Sequence, residues 1–282
     1  MLDILLMILC FVVVMLCWIM LFDSNRFVVV KYKISQNKLK KAYRAVVLAD
    51  LHNKQFGRNN EQLLKAIEQQ KPDGIWIAGD ILTAHPGKSM QVAIDFVTQL
   101  AKKYPVYYGN GNHEHRLKLY PETYGDMAAE YAKALEEAGV RPLVNEHIVL
   151  GEYNLAIYGV EIDRTYYKRF TIPEMEAQYM ASVLGKPDEK CFNVLLAHNP
   201  DYFSNYADWG ADLVLSGHIH GGMIRIPGWK GVVSPSIRLF PRYDGGKFTK
   251  GKSTMILSRG LGMHTIPVRL FNPGELIVVE VE

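Results

Sequence analysis

Five short stretches concentrate side chains that bind metal ions. They are Ala49-Asp50-Leu51-His52, Ala78-Gly79-Asp80, Gly109-Asn110-Gly111-Asn112-His113-Glu114, Ala197-His198-Asn199-Pro200 and Ser216-Gly217-His218-Ile219-His220. Each follows a short apolar run that reads as a strand, and open α/β sheets place their ligands beyond the carboxyl ends of strands. In Asp-x-His and His-x-His an extended backbone points both side chains to one side, so both reach a single ion at about 2.0–2.2 Å. Oxygen ligands mixed with several imidazoles suit manganese, iron, zinc or cobalt better than calcium, and their number suffices for two divalent ions. Glycines before Asp80, Asn112 and His218 permit sharp turns and close backbone approach.

Each stretch alone has a plainer reading. An Asp after a strand is commonly a turn residue or a helix cap, and a lone Gly-Asp says almost nothing. Gly-Asn-His-Glu and Gly-His-x-His say more, because a structural turn needs only Gly or Asn and has no use for clustered polar side chains. Five such stretches in order, each after a strand, read as one metal centre.

The elements that must position these residues follow an α/β rhythm. Strands are expected at 45–49, 74–78, 106–108, 155–159, 192–197 and 213–216, and helices at 60–70, 89–102, 122–138 and 173–184. After Gly221 the helical period disappears and Gly and Pro become frequent, while apolar runs at 255–257 and 276–279 predict a largely β carboxy-terminal end.

The chain has 282 residues, 49% hydrophobic and 22% charged, a mixture that excludes disorder and fibrous repeats. Residues 4–22 carry no charged side chain, and a helix of that length reaches roughly 28 Å, close to the hydrocarbon thickness of a bilayer. Only Met1, Leu2 and Asp3 precede this run and no small-residue cleavage site follows it, so an uncleaved anchor is expected rather than a signal peptide. Seven basic residues between Asp23 and Arg44 follow the run, which predicts an outside amino terminus and a cytoplasmic main domain. Residues 45–282 hold 25 basic and 27 acidic side chains. That balance argues against a protein that grips nucleic acid through its phosphates. Cys10 and Cys17 lie in the apolar run and only Cys191 belongs to the main domain, so no disulfide is expected within it.

In order and composition, the five blocks resemble those of the calcineurin-like metallophosphoesterase superfamily across residues 46–220. His52-Asn53 with Phe56-Gly57, residues 217–222, Phe240-Pro241-Arg242-Tyr243 and Ser258-Arg259-Gly260-Leu261-Gly262 resemble its membrane-associated branch, which includes bacterial phosphodiesterases and UDP-2,3-diacylglucosamine pyrophosphatases. The resemblance implies a two-metal centre on a four-layer α/β/β/α sandwich. Asp50, His52 and His220 would hold the first ion, Asp80 would bridge, and Asn112, His198 and His218 would hold the second. His113 would stand beside the substrate without ligating. One departure matters: the protein serine/threonine phosphatases of this superfamily continue Gly-Asp with a further Asp and an Arg, whereas Gly79-Asp80 continues Ile81-Leu82-Thr83-Ala84. This argues against a phosphoprotein phosphatase and offers no Asp from this block to orient His113. Arg116 and Arg242 are candidate substrate contacts, though solvated surface residues read the same way.

The chemistry is consistent with these roles. Two cations about 3.5–4 Å apart neutralise phosphate oxygens and lower the pKa of a bridging water, and a protonated His113 would give a proton to the leaving oxygen or bind developing charge. His85, His115, His147 and His264 fall outside the blocks and read as loop or packing residues. Trp209 and Trp229 read as core or edge aromatics, and Met223, Ile224, Ile226 and Trp229 as either an apolar lip near the membrane or a hairpin packed on the core. The sequence therefore predicts an anchor (residues 1–22), a basic juxtamembrane linker (23–44) and a phosphoesterase domain (45–282). The expected activity is hydrolysis of a phosphodiester or pyrophosphate bond on a lipid-linked or nucleotide-linked substrate, with no nucleic acid and no inferable protein partner. The competing readings are a non-catalytic metal-binding scaffold and a metal-dependent nuclease.

Overall fold

Strand alternation decides the architecture. In the computed structural model, which describes residues 1–263 and 267–282, the amino-terminal half forms α1 (Leu2–Ser24), β1 (Phe27–Ile34), β2 (Tyr43–Leu48), α2 (Glu61–Gln69), β3 (Gly74–Ala78), α3 (Gln91–Ala101) and β4 (Val106–Gly109). It continues with α4 (Asn112–Leu119), α5 (Pro121–Tyr124), α6 (Met127–Glu137), β5 (Arg141–Leu143), β6 (Glu146–Leu150) and β7 (Leu155–Val160). The remainder supplies α7 (Tyr179–Leu184), β8 (Phe192–Ala197), α8 (Phe203–Trp209), β9 (Leu213–Ser216), β10 (Gly246–Lys250), β11 (Ser253–Leu257) and β12 (Gly274–Val281). Two six-stranded mixed sheets result, in the orders β1-β12-β2-β3-β4-β5 and β10-β11-β9-β8-β7-β6.

Because successive side chains point to opposite faces of a strand, β2 sends Ala45 and Val47 one way and Val46 and Leu48 the other. Val47, Trp76 and Val279 of the first sheet share a cluster with Ile157, Val194 and Leu215 of the second, so the sheets bury these faces against each other. Val46, Leu48, Ile75 and Ile77 pack instead with Leu63 of α2, Phe96 of α3 and Leu135 of α6. Tyr158, Leu195 and Val214 pack with Met180 of α7 and Phe203 of α8. Each fully buried Leu, Ile or Phe contributes about 1.5–3 kcal/mol, and the strand ends inherit their rigidity from these cores.

Several expectations change. The stretch read as a basic linker contains β1, paired in parallel with β12 from Phe27 opposite Gly274 to Ile34 opposite Val281. The charge run hid its alternation: Lys31 and Lys33 point to solvent while Ile34 is buried, and lysines suit an edge strand because they discourage pairing with other chains. The helix expected at 122–138 is two, divided at Gly125 with φ 56°. Of 173–184 only Tyr179–Leu184 is helical. Helix α4 begins inside the Gly-Asn-His-Glu block. His264 lies outside the described residues. The most apolar 18-residue stretch of α1 has mean hydropathy 3.2, and none of it is buried.

Candidate metal centre

All five blocks lie where strands end. Asp50 and His52 follow β2, Asp80 follows β3, and Asn112 and His113 open α4 after β4, while His198 follows β8 and His218 and His220 follow β9. The first sheet thus leads to five of these eight residues and the second sheet to three. The extended backbone expected for Asp-x-His and His-x-His is not found: Asp50, His52, Asp80, His218 and His220 all have left-handed φ, between 50° and 73°. Such a conformation costs a non-glycine residue about 1–2 kcal/mol, and it persists only where the surroundings over-determine it. Here they do, because a chain leaving a sheet must turn sharply to aim alternate side chains inward. The turning loops are laced together: Asp50 N–H donates to Gly79 O (3.0 Å), His52 N–H to Asp80 O (3.1 Å) and Asn53 N–H to Ile81 O (3.0 Å). Glycine is required at this crossing, since a Cβ on Gly79 would strike the Gly111 backbone and one on Gly111 would strike the Asp80 carboxylate.

The side chains converge. Asp50 Oδ1 lies 3.3 Å from His220 Nε2 and 3.9 Å from His52 Nε2, and the two imidazole Nε2 atoms are 3.1 Å apart. Asp80 Oδ2 lies 3.1 Å from His198 Nε2 and 3.8 Å from His52 Nε2, while His198 Nε2 is also 3.7 Å from Asp50 Oδ1. Asp50-His52-His220, Asp80-His198-His218 and His52-Asp80-His113 each offer ligand atoms within 4.8 Å of one another, and all of these residues but the half-buried His218 are buried. Asn112 is buried and lines a cavity with His113 and His218.

The donor set fits divalent cations. His198 Nδ1 donates to Ala78 O (2.7 Å), so in the neutral ring Nε2 turns a lone pair toward two carboxylates. Three acceptors facing one point suit a positive charge between them, a proton on Nε2 or a metal ion. Asn112 Oδ1 is buried without a hydrogen-bond partner among the described residues, another oxygen suited to an ion. Burial opposes protonation of His198, but the charges of Asp80 and Asp50 prevail and push it up to about 10. The carboxylates respond in kind. Against burial, which would raise them, the neighbouring imidazoles hold Asp50 and Asp80 well below the usual carboxylate range.

His113 is held differently. Ala84 N–H donates to its Nδ1 at 2.9 Å, so Nδ1 carries no proton and the ring is a neutral imidazole with its hydrogen on Nε2. Burial, which pushes the group down, agrees. In this geometry the ring is a neutral imidazole rather than the protonated form that acid catalysis would need, and a backbone amide stands where an Asp partner was missing. The His113 N–H also donates to Asp80 Oδ1 (2.8 Å).

Three residues have supporting roles that sequence reasoning did not assign, although Glu114 stood within the Gly-Asn-His-Glu block. Glu114 accepts from Asp80 N and Gly111 N through Oε2 (both 2.9 Å), and from Ile81 N (3.0 Å) and Tyr108 OH (2.8 Å) through Oε1. It thereby ties the ends of β3 and β4 together, and burial, with Asp80 adding to it, raises it to about 7. Its signal was a Glu three residues into a helix, the position that reaches back to amides before the first turn. Arg269, fully buried, donates to the carbonyls of Arg259, Gly260, Gly262 and Asn272, fixing the loop whose Leu261 and Gly262 amides bond Ala49 O and Asp50 O. Asn272 joins three segments: its backbone amide donates to Asp23 Oδ2 (2.9 Å) and its side chain to His220 O and Gly222 O (both 2.7 Å).

Around the centre, a cavity of about 100 Å³ is bordered by Arg116, Arg164 and Arg169 beside Asn112, His113 and His218. None of these arginines has an ion-pair partner among the described residues, and no acidic residue lines the space. Arg242 is not among them and lies over the Tyr243 ring at 5.0 Å. His147 stacks on Tyr158 and Trp209 packs edge-on to it, as packing residues.

The family model described as calcineurin-like phosphoesterase matches residues 43–222. The chain is 26% identical over 230 residues to an uncharacterized metallophosphoesterase of Bacillus subtilis, YkuE, covering 77% of this chain and 70% of that one. It is 27% identical over 251 residues to an uncharacterized metallophosphoesterase of Campylobacter jejuni, covering 86% of this chain but only 60% of that one. It is 26% identical over 223 residues to the phosphodiesterase YaeI of Escherichia coli, covering 78% and 75%. With the family's region spanning the whole metal centre, the chain belongs to the calcineurin-like phosphoesterase family and is a metal-dependent phosphoesterase.

Proposed function

We propose that the chain is a membrane-anchored hydrolase with two divalent ions, which cleaves a phosphodiester or pyrophosphate bond on a lipid-linked or nucleotide-linked substrate. The observation that carries this reading is the convergence of two buried carboxylates on shared imidazoles, Asp50 and Asp80 both lying within 4 Å of His52 and His198. Asp50, His52 and His220 would hold one ion, Asn112, His198 and His218 the other, with Asp80 between them on a four-layer α/β/β/α frame. Manganese, iron, zinc or cobalt suits this mixture of oxygen and imidazole ligands. Such ions neutralise phosphoryl oxygens and supply activated water near neutral pH.

The chain's own residues do the rest. His113 presents Nε2–H to the oxygen on which charge develops, and its neutrality spares it a clash with the Ala84 amide. Arg116, Arg164 and Arg169 draw the anionic substrate into the cavity and orient it. Exposed along its apolar length, α1 supports the anchor, and the basic flank supports a cytoplasmic catalytic domain.

The direct test strips metal from the full chain in detergent and resupplies manganese, zinc, cobalt or iron singly while following hydrolysis of bis-p-nitrophenyl phosphate and p-nitrophenyl phosphate. Metal-restored turnover favouring the diester is expected. Turnover indifferent to metal, or confined to the monoester, would overturn the reading.

A further inference from the structure

Residues 223–240 and 270–272 form a small meander on the edge of the metal centre. Met223 N–H bonds Val233 O, Val232 N–H bonds Ile224 O and Phe240 N–H bonds Val232 O, while Arg225 N–H and Leu270 N–H join this ribbon to the 270–272 segment. Asn272 then ties that segment both to Asp23 at the foot of α1 and to the carbonyl of His220 in the metal centre. Pro235 and Ser236 of the same ribbon border the arginine-lined cavity.

The ribbon exposes Ile226, Trp229, Ile237, Leu239 and Phe240, and the neighbouring segment exposes Phe271, each by 38–69%. Trp229 and Phe240 lie with ring centroids 5.9 Å apart. Elsewhere outside α1, among the described residues, exposed large apolar side chains occur singly, as Val29 and Val149, or in pairs, as Leu119-Tyr120 and Phe170 with Ile172, which is ordinary for a soluble surface. A concentration of six beside one site marks an interaction surface.

The backbone makes the exposure more telling. Ile237, Phe240 and Phe271 have φ of 59°, 45° and 55°. For a β-branched or bulky residue a left-handed backbone is an outlier, and side chains that stay 38–55% exposed recover only part of the packing that would offset it. Local folding alone would favour Gly or Asn at these turns.

The charges name the partner. Residues 223–243 contain Arg225, Lys230, Arg238 and Arg242 and no acidic residue. Arg225 and Arg238 pair with Asp244 and Asp201, which leaves Lys230 and Arg242 facing outward, while Lys54 bonds Asn25 at the helix foot. Apolar and aromatic side chains ringed by cations, beside a helix long enough to span a bilayer, match an anionic membrane surface.

We propose that this rim, Ile226, Trp229, Ile237, Leu239, Phe240 and Phe271, inserts into the headgroup region of an anionic bilayer and turns the mouth of the metal centre toward phosphate groups carried at that surface. The inference rests on the anchored reading above and adds a second contact that fixes how the domain sits on the membrane. A tether alone leaves the domain free to turn, whereas helix and rim together hold it at one depth.

The test uses the full chain reconstituted in vesicles of phosphatidylcholine and phosphatidylglycerol, with vesicle association established first by flotation. The emission of Trp229 is isolated as the difference between the chain and its Trp229→Phe variant. Lipid brominated on its acyl chains should quench that component at least about two-fold, while aqueous acrylamide quenches it less than in detergent. In Leu239→Asp/Phe240→Asp, folded by circular dichroism, the lipid quenching should disappear and acrylamide quenching return. Chains that float but keep Trp229 open to acrylamide and untouched by brominated lipid would overturn the rim and spare the anchor. Shielding from both quenchers would mean that a second protein surface covers the rim, and would overturn it equally. Chains that fail to float would overturn the anchor and the rim together.

Discussion

The metal centre and the apolar rim use the same unusual backbone for opposite ends. At the strand ends Asp50, His52, Asp80, His218 and His220 turn left-handed and are enclosed, with Glu114, Arg269 and Asn272 bonding the loops that carry them. In the rim Ile237, Phe240 and Phe271 turn left-handed and are exposed. Strain in the first region is offset inside the molecule by a polar network. Strain in the second meets only partial packing within the chain, such as Phe240 beside the Trp229 ring, which is why its counterpart is sought outside. The contrast predicts that substitutions in the first region cost activity and stability together, while in the second they leave folding intact or improve it.

The largest effect is expected at Asp80, which faces His52 of one cluster and His198 of the other. Asp80→Asn removes a charge facing His52 and His198, and kcat/KM should fall about 10³-fold or more along with metal content; steady-state kinetics and elemental analysis of the same preparation check it. His113→Ala should lower kcat by about 10²–10³-fold with both ions retained, and loss of metal would move His113 into the ligand set. Glu114→Gln places an amide against donors from Asp80, Ile81, Gly111 and Tyr108. It should destabilise the chain by about 2–4 kcal/mol, read by denaturant unfolding. Asn272→Ala, losing its two side-chain bonds to His220 O and Gly222 O, should cost about 1–3 kcal/mol and weaken metal binding measured by calorimetry. At the small end, Ile237→Gly should raise stability by about 0.5–1 kcal/mol, because glycine adopts that φ without a clash. A loss of stability there would show that the rim is held from within and would erase the contrast.

Much of this was legible in the sequence, for identifiable reasons. Strands β3, β8 and β9 appear at their expected positions, because buried parallel strands read as continuous apolar runs bounded by turn residues. The ligand blocks were visible because polar side chains cluster there beyond what turns require. Strand β1 was masked by its lysines, whose placement on a sheet edge makes charge and strand compatible. The tautomer of His113 depends on the amide of Ala84, twenty-nine residues away, and backbone donors leave no mark on residue type. Arg269 and Asn272 act through bonds to carbonyls of distant loops, which no local spacing encodes. For Met223, Ile224, Ile226 and Trp229 the sequence left an apolar lip and a hairpin packed on the core equally open; the left-handed backbone of Phe240 and Phe271 could only be seen in three dimensions.

The central claim is that Asp80 joins two ion sites. Metal stoichiometry of the full chain, measured by elemental analysis after equilibration with manganese or zinc, tests it most directly. Two ions per chain, falling to one or fewer in Asp80→Asn with the fold intact, is the predicted result. A single ion per chain, or two ions undisturbed by Asp80→Asn, would contradict it.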